Sequence, residues 1–180
     1  MCRFISAILP ASADIAALTV VAERHGRSLR PQSNPSVRKK LKADENCFLT
    51  TVGHCDCGTP LGAHAASATD DTHTQIRKLR AKGWSETKIT RWREQRGEHQ
   101  AQKAATARSA SETGIAQWQA FLSEALARND TPYLCLVIHM YSGALDGDIE
   151  LSDRQAVRLR DADTAFLDAM SEDVLYEFRA

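Results

Sequence analysis

The side chains with the clearest chemical potential lie in one short segment, His54-Cys55-Asp56-Cys57. Thiolate sulfur and imidazole nitrogen are the usual ligands of zinc, which structural sites hold in tetrahedral sets. Such sites typically use two pairs of ligands, each pair separated by about two to four residues. Here a single residue separates the two cysteines, and the segment is not followed by a second pair. It therefore supplies part of a metal site and needs ligands from elsewhere in the chain.

Cys135 and His139 are the remote side chains best suited to complete such a site. They are four positions apart, which places both on the same face of an extended strand because side chains alternate along a strand. Cys47 is a further possible ligand. The sequence thus predicts a zinc or iron site built from these residues: His54, Cys55, Cys57, Cys135 and His139.

The same segment has two other interpretations. Cys55 and Cys57 could cycle between dithiol and disulfide, although we expect the charge of Asp56 to disfavour the thiolate, since the sequence places no Lys or Arg nearby to oppose it. Alternatively, cysteines at the end of a strand are small buried apolar side chains, and the flanking glycines only form a turn. The residue pattern leaves metal binding, thiol redox chemistry and a structural role open.

A second candidate site is a strongly cationic segment at residues 75–108, which carries ten Lys and Arg against three Glu. Its pattern of helix, Gly83 and helix superficially resembles a helix-turn-helix, but Lys78 and Lys82 occupy positions that this motif buries. The carboxyl-terminal third is acidic, so the two regions favour binding to another protein or to a second copy of the chain over binding to nucleic acid. The predicted partner-binding residues are Arg91, Arg93, Arg96, Lys103 and Arg108.

Composition limits the class of protein. The 180 residues carry 23 basic and 23 acidic side chains, so no overall field attracts nucleic acid or an anionic membrane. No apolar stretch approaches the roughly 20 residues of a membrane-spanning helix, and the first residues lack a secretory signal pattern. Five cysteines, an odd number, are typical of free thiols in a reducing compartment. We therefore expect a cytoplasmic protein that does not enter a membrane.

The sequence contains no recognisable catalytic motif, such as G-x-S-x-G or H-E-x-x-H. The predicted function is therefore that of a non-enzymatic intracellular domain that binds another protein or associates with itself. A homodimer is one form that this self-association could take. The alternative function is the metal or thiol site described above.

Periodicity predicts the elements that must position these side chains. Apolar or β-branched runs predict strands at residues 3–9, 46–52 and 133–141, with weaker strands at 156–159 and 174–178. Helical spacing predicts a helix from Ser12 to Gly26, with Ser12 as its N-cap, and a short helix with Asn34 as its cap and Pro35 as its first position. A further helix is predicted at 164–170. The segment 71–129 is predicted to be a helical insertion in which Gly83 ends the first helix and the chain folds back near Ser109; a continuous helix is the alternative to the fold-back. The chain 1–180 is thus predicted as a single α+β domain, whose mixed sheet has about four or five strands with helices mainly on one face.

Overall fold

The computed structural model describes the backbone of residues 2–62 and 72–180, and their side chains except those of 72–74, 99–101 and 103–112. The strands are β1 (Cys2–Pro10), β2 (Arg30–Pro31), β3 (Glu45–Leu49), β4 (Leu134–Tyr141), β5 (Asp153–Arg158) and β6 (Val174–Arg179). The α-helices are α1 (Ile15–Arg24), α2 (Pro35–Arg38), α3 (Thr72–Ala81), α4 (Glu86–Ala127) and α5 (Thr164–Asp168), and a 3-10 turn covers Leu159–Asp161.

The strands form one mixed sheet in the order β2-β3-β1-β4-β6-β5. All neighbouring pairs are antiparallel except β5 and β6, which are parallel. The α+β class with a mixed sheet is confirmed, but the sheet described here has six strands rather than four or five. The additional strand, β2, is a two-residue edge that pairs with Leu49 and Phe48, and so short a pairing leaves no periodic pattern in the sequence.

Each face of the sheet has its own apolar cluster. On one face, strand residues such as Ile5 and Leu136 pack with α1, the carboxyl-terminal part of α4, and α5. On the other face, Ile8 and Val137 pack with Val37 of α2 and with the segment that precedes β5. Alternation along β1 therefore divides its side chains between the two clusters. One face of β1 carries the side chains of Cys2, Ser6 and Ile8, and the opposite face carries those of Arg3 and Ile5.

The predicted fold-back near Ser109 is wrong, because α4 is one continuous helix from Glu86 to Ala127. The segment contains no proline, and serine in a helix interior costs only about half a kcal/mol relative to alanine. The many alanines around Ser109 are strong helix formers, so the weak break in the pattern does not end the helix. Among the described residues, 2–62 with 112–180 form one compact unit and 72–111 form a second.

Several helix boundaries follow the predicted cap residues. The side-chain oxygen of Asn34 accepts hydrogen bonds from the backbone N–H groups of Ser36 and Val37. Asn34 therefore caps α2, whose first residue is Pro35, as predicted. Gly83, at φ 77°, ends α3 as predicted. The cap of α1 differs, because Asp14 rather than Ser12 accepts the backbone N–H of Ala17.

Candidate metal site

Three cysteine sulfur atoms lie together where β1 begins. The Sγ atoms of Cys2, Cys55 and Cys57 are all within 4.8 Å of one another. Cys2 is the first residue of β1, and the other two lie in the loop that follows β3. Cys57 is exposed and the other two are half-buried. The group is therefore compact and is open to solvent on the side of Cys57.

Hydrogen bonds hold this loop against the side of β1 that faces β3. Beyond the last residues of β3, the Thr50 N–H donates to the Ile5 carbonyl at 3.0 Å, and the Asp56 N–H donates to the Arg3 carbonyl at 2.7 Å. The Ile5 N–H donates to the Asp56 carboxylate at 3.0 Å, and the Arg3 N–H donates to Cys57 Sγ at 3.3 Å. A carboxylate and a sulfur thus replace the neighbouring strand and satisfy backbone groups that would otherwise lack partners.

Asp56 is the buried anchor of the loop. Its side chain is 4% exposed and lies 3.7 Å from the guanidinium of Arg27, which in turn stacks 4.1 Å over the ring of Trp118. The Thr51 hydroxyl also donates to the Asp56 carboxylate. The expectation that no cation lies near Asp56 is therefore wrong: Arg27 approaches through space although it is distant in sequence.

Arg3 and Gly62 fix the far end of the loop. The Arg3 guanidinium donates to the carbonyls of Thr59 at 3.2 Å and Gly62 at 2.9 Å. Gly62 has φ 56°, and a Cβ there would lie 2.4 Å from the carbonyl oxygen of Met170 and 2.8 Å from Cδ1 of Ile138. Both the conformation and the close packing require glycine at this position.

Cys55 and Cys57 differ in how easily their thiols ionise. The pKa of Cys57 is lowered, first because the Arg3 backbone N–H donates to its sulfur and also because Cys55 and Cys2 donate to it. The Cys57 backbone N–H lowers the pKa of Cys55, but the hydrogen bond and charge of the Cys57 sulfur, with burial, outweigh it and leave that pKa raised. Cys57 is thus the thiol of this pair that most readily becomes a thiolate.

Two of the predicted ligands, Cys55 and Cys57, belong to the group, whereas the other three do not. His54 is exposed and outside it. In the pairing of β1 with β4, Cys2 lies opposite Tyr141 and Cys135 lies opposite Ile8. Cys135 is therefore six residues further along the strands than Cys2, which corresponds to a distance of roughly 20 Å.

His139 contacts an acidic side chain rather than the cysteine group. Its Nδ1 lies 2.5 Å from the carboxylate of Asp173. Cys135 and Cys47 lie outside the group, and burial raises their pKa values to about 12 and about 11, respectively. His64, which also follows the C-x-C segment, lies outside the described residues. The structure therefore offers no support for a metal site that includes Cys135 or His139.

Sequence reasoning missed Cys2, which supplies the third sulfur. The signal that could have found it is the strand pairing. If β1 and β3 pair antiparallel, the start of β1 must lie beside the residues that follow β3. The C-x-C segment follows β3, so this pairing brings Cys2 to it.

The predicted partner-binding residues are found along α4. Arg91 and Arg93 are exposed, whereas Arg96 is half-buried, with its guanidinium 5.2 Å from the ring of Trp92. Lys103 and Arg108 lie in α4, in the stretch whose side chains the structure does not describe. In the described part of the chain, no helix combines the length and the apolar character needed to cross a membrane.

Comparisons of the chain with protein-family models, with curated proteins and with solved structures found no match. The chemistry of the site is therefore inferred from its own atoms. A metal–sulfur bond is about 2.3 Å long, which places two sulfurs on one ion about 4 Å apart. Three sulfurs within 4.8 Å of one another can thus bind one ion after small side-chain movements.

Proposed function

We propose that the protein binds one thiophilic metal ion through the sulfur atoms of Cys2, Cys55 and Cys57. The observation that carries this proposal is the mutual approach of the three Sγ atoms to within 4.8 Å. Thiolates are the preferred ligands of zinc and of cuprous copper. A bound ion would join the loop after β3 to the start of β1.

The arrangement supports metal binding better than it supports disulfide chemistry. A disulfide joins only two sulfurs at a time, whereas one metal ion binds all three at once. The Arg3 N–H bond to Cys57 Sγ supports the same interpretation, since a backbone N–H that donates to a ligating sulfur favours its thiolate form. The guanidinium of Arg3 lies close enough for its charge to interact with Cys57, which further favours an anionic metal–thiolate group.

We expect Cys2→Ser, Cys55→Ser and Cys57→Ser each to weaken metal binding by more than about 100-fold, because loss of a ligand should exceed the 10- to 100-fold cost of losing an outer-shell partner. Cobalt(II) or zinc would be added to reduced protein. Sulfur-to-cobalt charge-transfer absorption and competition with a chromophoric chelator would then measure affinity and stoichiometry.

Cys47→Ala is the matched control, because Cys47 is a half-buried thiol outside the group. The metal affinity of the Cys47→Ala protein should equal that of the wild type. Circular dichroism would show that each variant is folded. If wild-type protein binds none of zinc, cobalt or cuprous copper, or if the control loses binding as much as the three cysteine variants, the proposal is wrong.

Self-association through the cationic segment is a second candidate function. Over residues 75–98, eight Lys and Arg side chains accompany three Glu, and Arg91 and Arg93 are exposed. The loop before β5 carries exposed carboxylates at Asp146, Asp148 and Glu150. A second copy of the chain therefore offers a surface of opposite charge to each cationic segment.

This candidate predicts a salt-sensitive dimer. At low salt, Arg91→Glu with Arg93→Glu should raise the dimer dissociation constant about tenfold, since each surface pair contributes up to about 1 kcal/mol. Sedimentation velocity at two salt concentrations measures this. Arg158→Glu with Arg160→Glu, an equal charge change at exposed sites outside the segment, should have little effect. A monomer at both salt concentrations would contradict the candidate.

A further inference from the structure

The donor atoms of the cysteine group are uniform in type. Among the described side chains, the group consists of three sulfurs, and the imidazole of His54 stays exposed and outside it although it adjoins Cys55. Soft thiolate sulfur favours soft metal ions, of which cuprous copper is the most thiophilic of the common biological ones. Zinc, in contrast, is almost always held in tetrahedral sets and commonly combines sulfur with nitrogen or oxygen.

The geometry of the group suits a three-coordinate ion. One ion in the plane of three sulfurs, with bonds of about 2.3 Å, requires sulfur separations of about 4 Å. The observed separations, all within 4.8 Å, need only a small contraction. One of the three sulfurs is already oriented, because the Arg3 backbone N–H donates to Cys57 Sγ at 3.3 Å.

The local charges suit an anionic complex. Three thiolates around a monovalent ion carry a net charge of minus two, and this charge needs nearby cations. The guanidinium of Arg3, fixed by the carbonyls of Thr59 and Gly62, is close enough to interact electrostatically with Cys57. Arg27 also lies in this region, 3.7 Å from the carboxylate of Asp56, so the loop between Cys55 and Cys57 adds no uncompensated negative charge.

The exposure of Cys57 gives an incoming ligand access to the site. In a reducing environment a cuprous ion moves between carriers by thiolate exchange, in which an entering thiolate binds the metal before a leaving one departs. Neither the copper nor the thiolates change oxidation state in this exchange. An exposed sulfur at the edge of a three-sulfur group permits that step, whereas a fully buried group would block it.

We propose that the ion held by Cys2, Cys55 and Cys57 is cuprous copper, bound by the three sulfurs alone and exchangeable with external thiols. This inference rests on the metal-binding function proposed above. It adds the identity of the ion, its coordination number and its mode of delivery.

The test uses reduced full-length protein loaded anaerobically with one equivalent of cuprous copper from a chromophoric chelator. X-ray absorption should show three sulfur neighbours and no nitrogen or oxygen neighbour. Cys57→Ser should reduce the sulfur count to two and weaken copper binding by more than about 100-fold. His54→Ala and His64→Ala should leave both the copper spectrum and the affinity unchanged, and a glutathione-bound cuprous complex should transfer its copper to the wild-type protein.

Three results would overturn the inference. They are a nitrogen neighbour in the copper spectrum, copper binding weakened by either histidine variant, or no transfer from the glutathione complex. A zinc form with three sulfurs and one nitrogen, weakened by a histidine variant, would identify a zinc site instead; the metal-binding function would then stand while the copper assignment failed. Failure to bind any of zinc, cobalt or cuprous copper would reject both.

Discussion

Replacement of Arg154 by methionine is expected to lower the free energy of unfolding at neutral pH by about 3–5 kcal/mol, because it removes the guanidinium that donates hydrogen bonds to two buried carboxylates. Arg154 donates to Glu45 at 2.6 and 3.1 Å and to Glu177 at 2.8 and 2.5 Å. The side chain of Glu45 is fully buried and that of Glu177 is 6% exposed. Urea denaturation followed by circular dichroism measures the loss.

The stabilisation that the Glu45 carboxylate gives the folded protein should depend on pH. Burial alone would raise the pKa of Glu45, but hydrogen bonds from Arg154, the Lys42 backbone N–H and the Tyr133 hydroxyl outweigh it and lower the pKa to about 2 from 4.5. A carboxyl whose pKa is lower in the folded protein stabilises it above the unfolded pKa, and this stability is lost as the pH falls through the folded pKa. The wild type should therefore lose about 3 kcal/mol between about pH 4.5 and pH 2 through Glu45.

The stability of Arg154→Met should depend less on pH in this range. The variant lacks the largest of the hydrogen-bond contributions that lower the pKa of Glu45, so protonation of Glu45 costs the variant less stability than it costs the wild type. The stability difference between variant and wild type should therefore shrink as the pH falls below about 4.5.

Two controls test the physical cause. Arg160→Met removes an arginine that is 72% exposed and should cost less than about 1 kcal/mol. Arg154→Met combined with Glu45→Gln and Glu177→Gln should recover much of the lost stability, since the charges are removed together. An Arg154→Met protein as stable as the Arg160→Met control would contradict this account of the buried group.

Asp56→Ala is expected to lower both stability and metal affinity. The Ile5 N–H and the Thr51 hydroxyl would lose their acceptor, and Arg27 would lose its only described carboxylate partner. A buried donor without a partner costs about 1–3 kcal/mol, so we expect a loss of at least about 2 kcal/mol. Metal affinity should fall about 10- to 100-fold, because Asp56 fixes the loop that carries Cys55 and Cys57.

Asp44→Ala is the control, because Asp44 is an exposed loop carboxylate and its loss should change neither property. Asp56→Asn keeps an acceptor but removes the charge, so its effects should be intermediate. Chemical denaturation and cobalt absorption, measured on the same samples, separate the two effects. A folded Asp56→Ala protein with wild-type metal affinity would show that the loop does not depend on this anchor.

Local patterns predicted much of the fold. The alternation and apolarity of β1, β3 and β4 were sufficient to locate these strands, and the pair Asn34-Pro35 marked the start of α2. These features depend on residues that are close in the sequence, and the periodicity of apolar side chains indicates them directly. β2 was not predicted, and a continuous α4 was only the alternative to the predicted fold-back, because a two-residue pairing and a helix across a serine depend on small differences in free energy.

The candidate site was predicted only in part. Cys55 and Cys57 drew attention because thiols one residue apart are unusual in composition and spacing. Cys135 and His139 were chosen as their companions on strand alternation alone, and that pattern carries no information about position along the neighbouring strand.

The sequence by itself determined the class of fold, most of its strands, and the location of the most reactive segment, because each of these follows from contacts between residues close in the chain. Only the tertiary structure decided which distant side chains meet that segment. The antiparallel pairing of β1 with β3 brings Cys2 to the C-x-C loop, and Arg27 approaches Asp56 through packing against Trp118. Strand register and side-chain packing set these contacts, and both depend on how separate elements fit together.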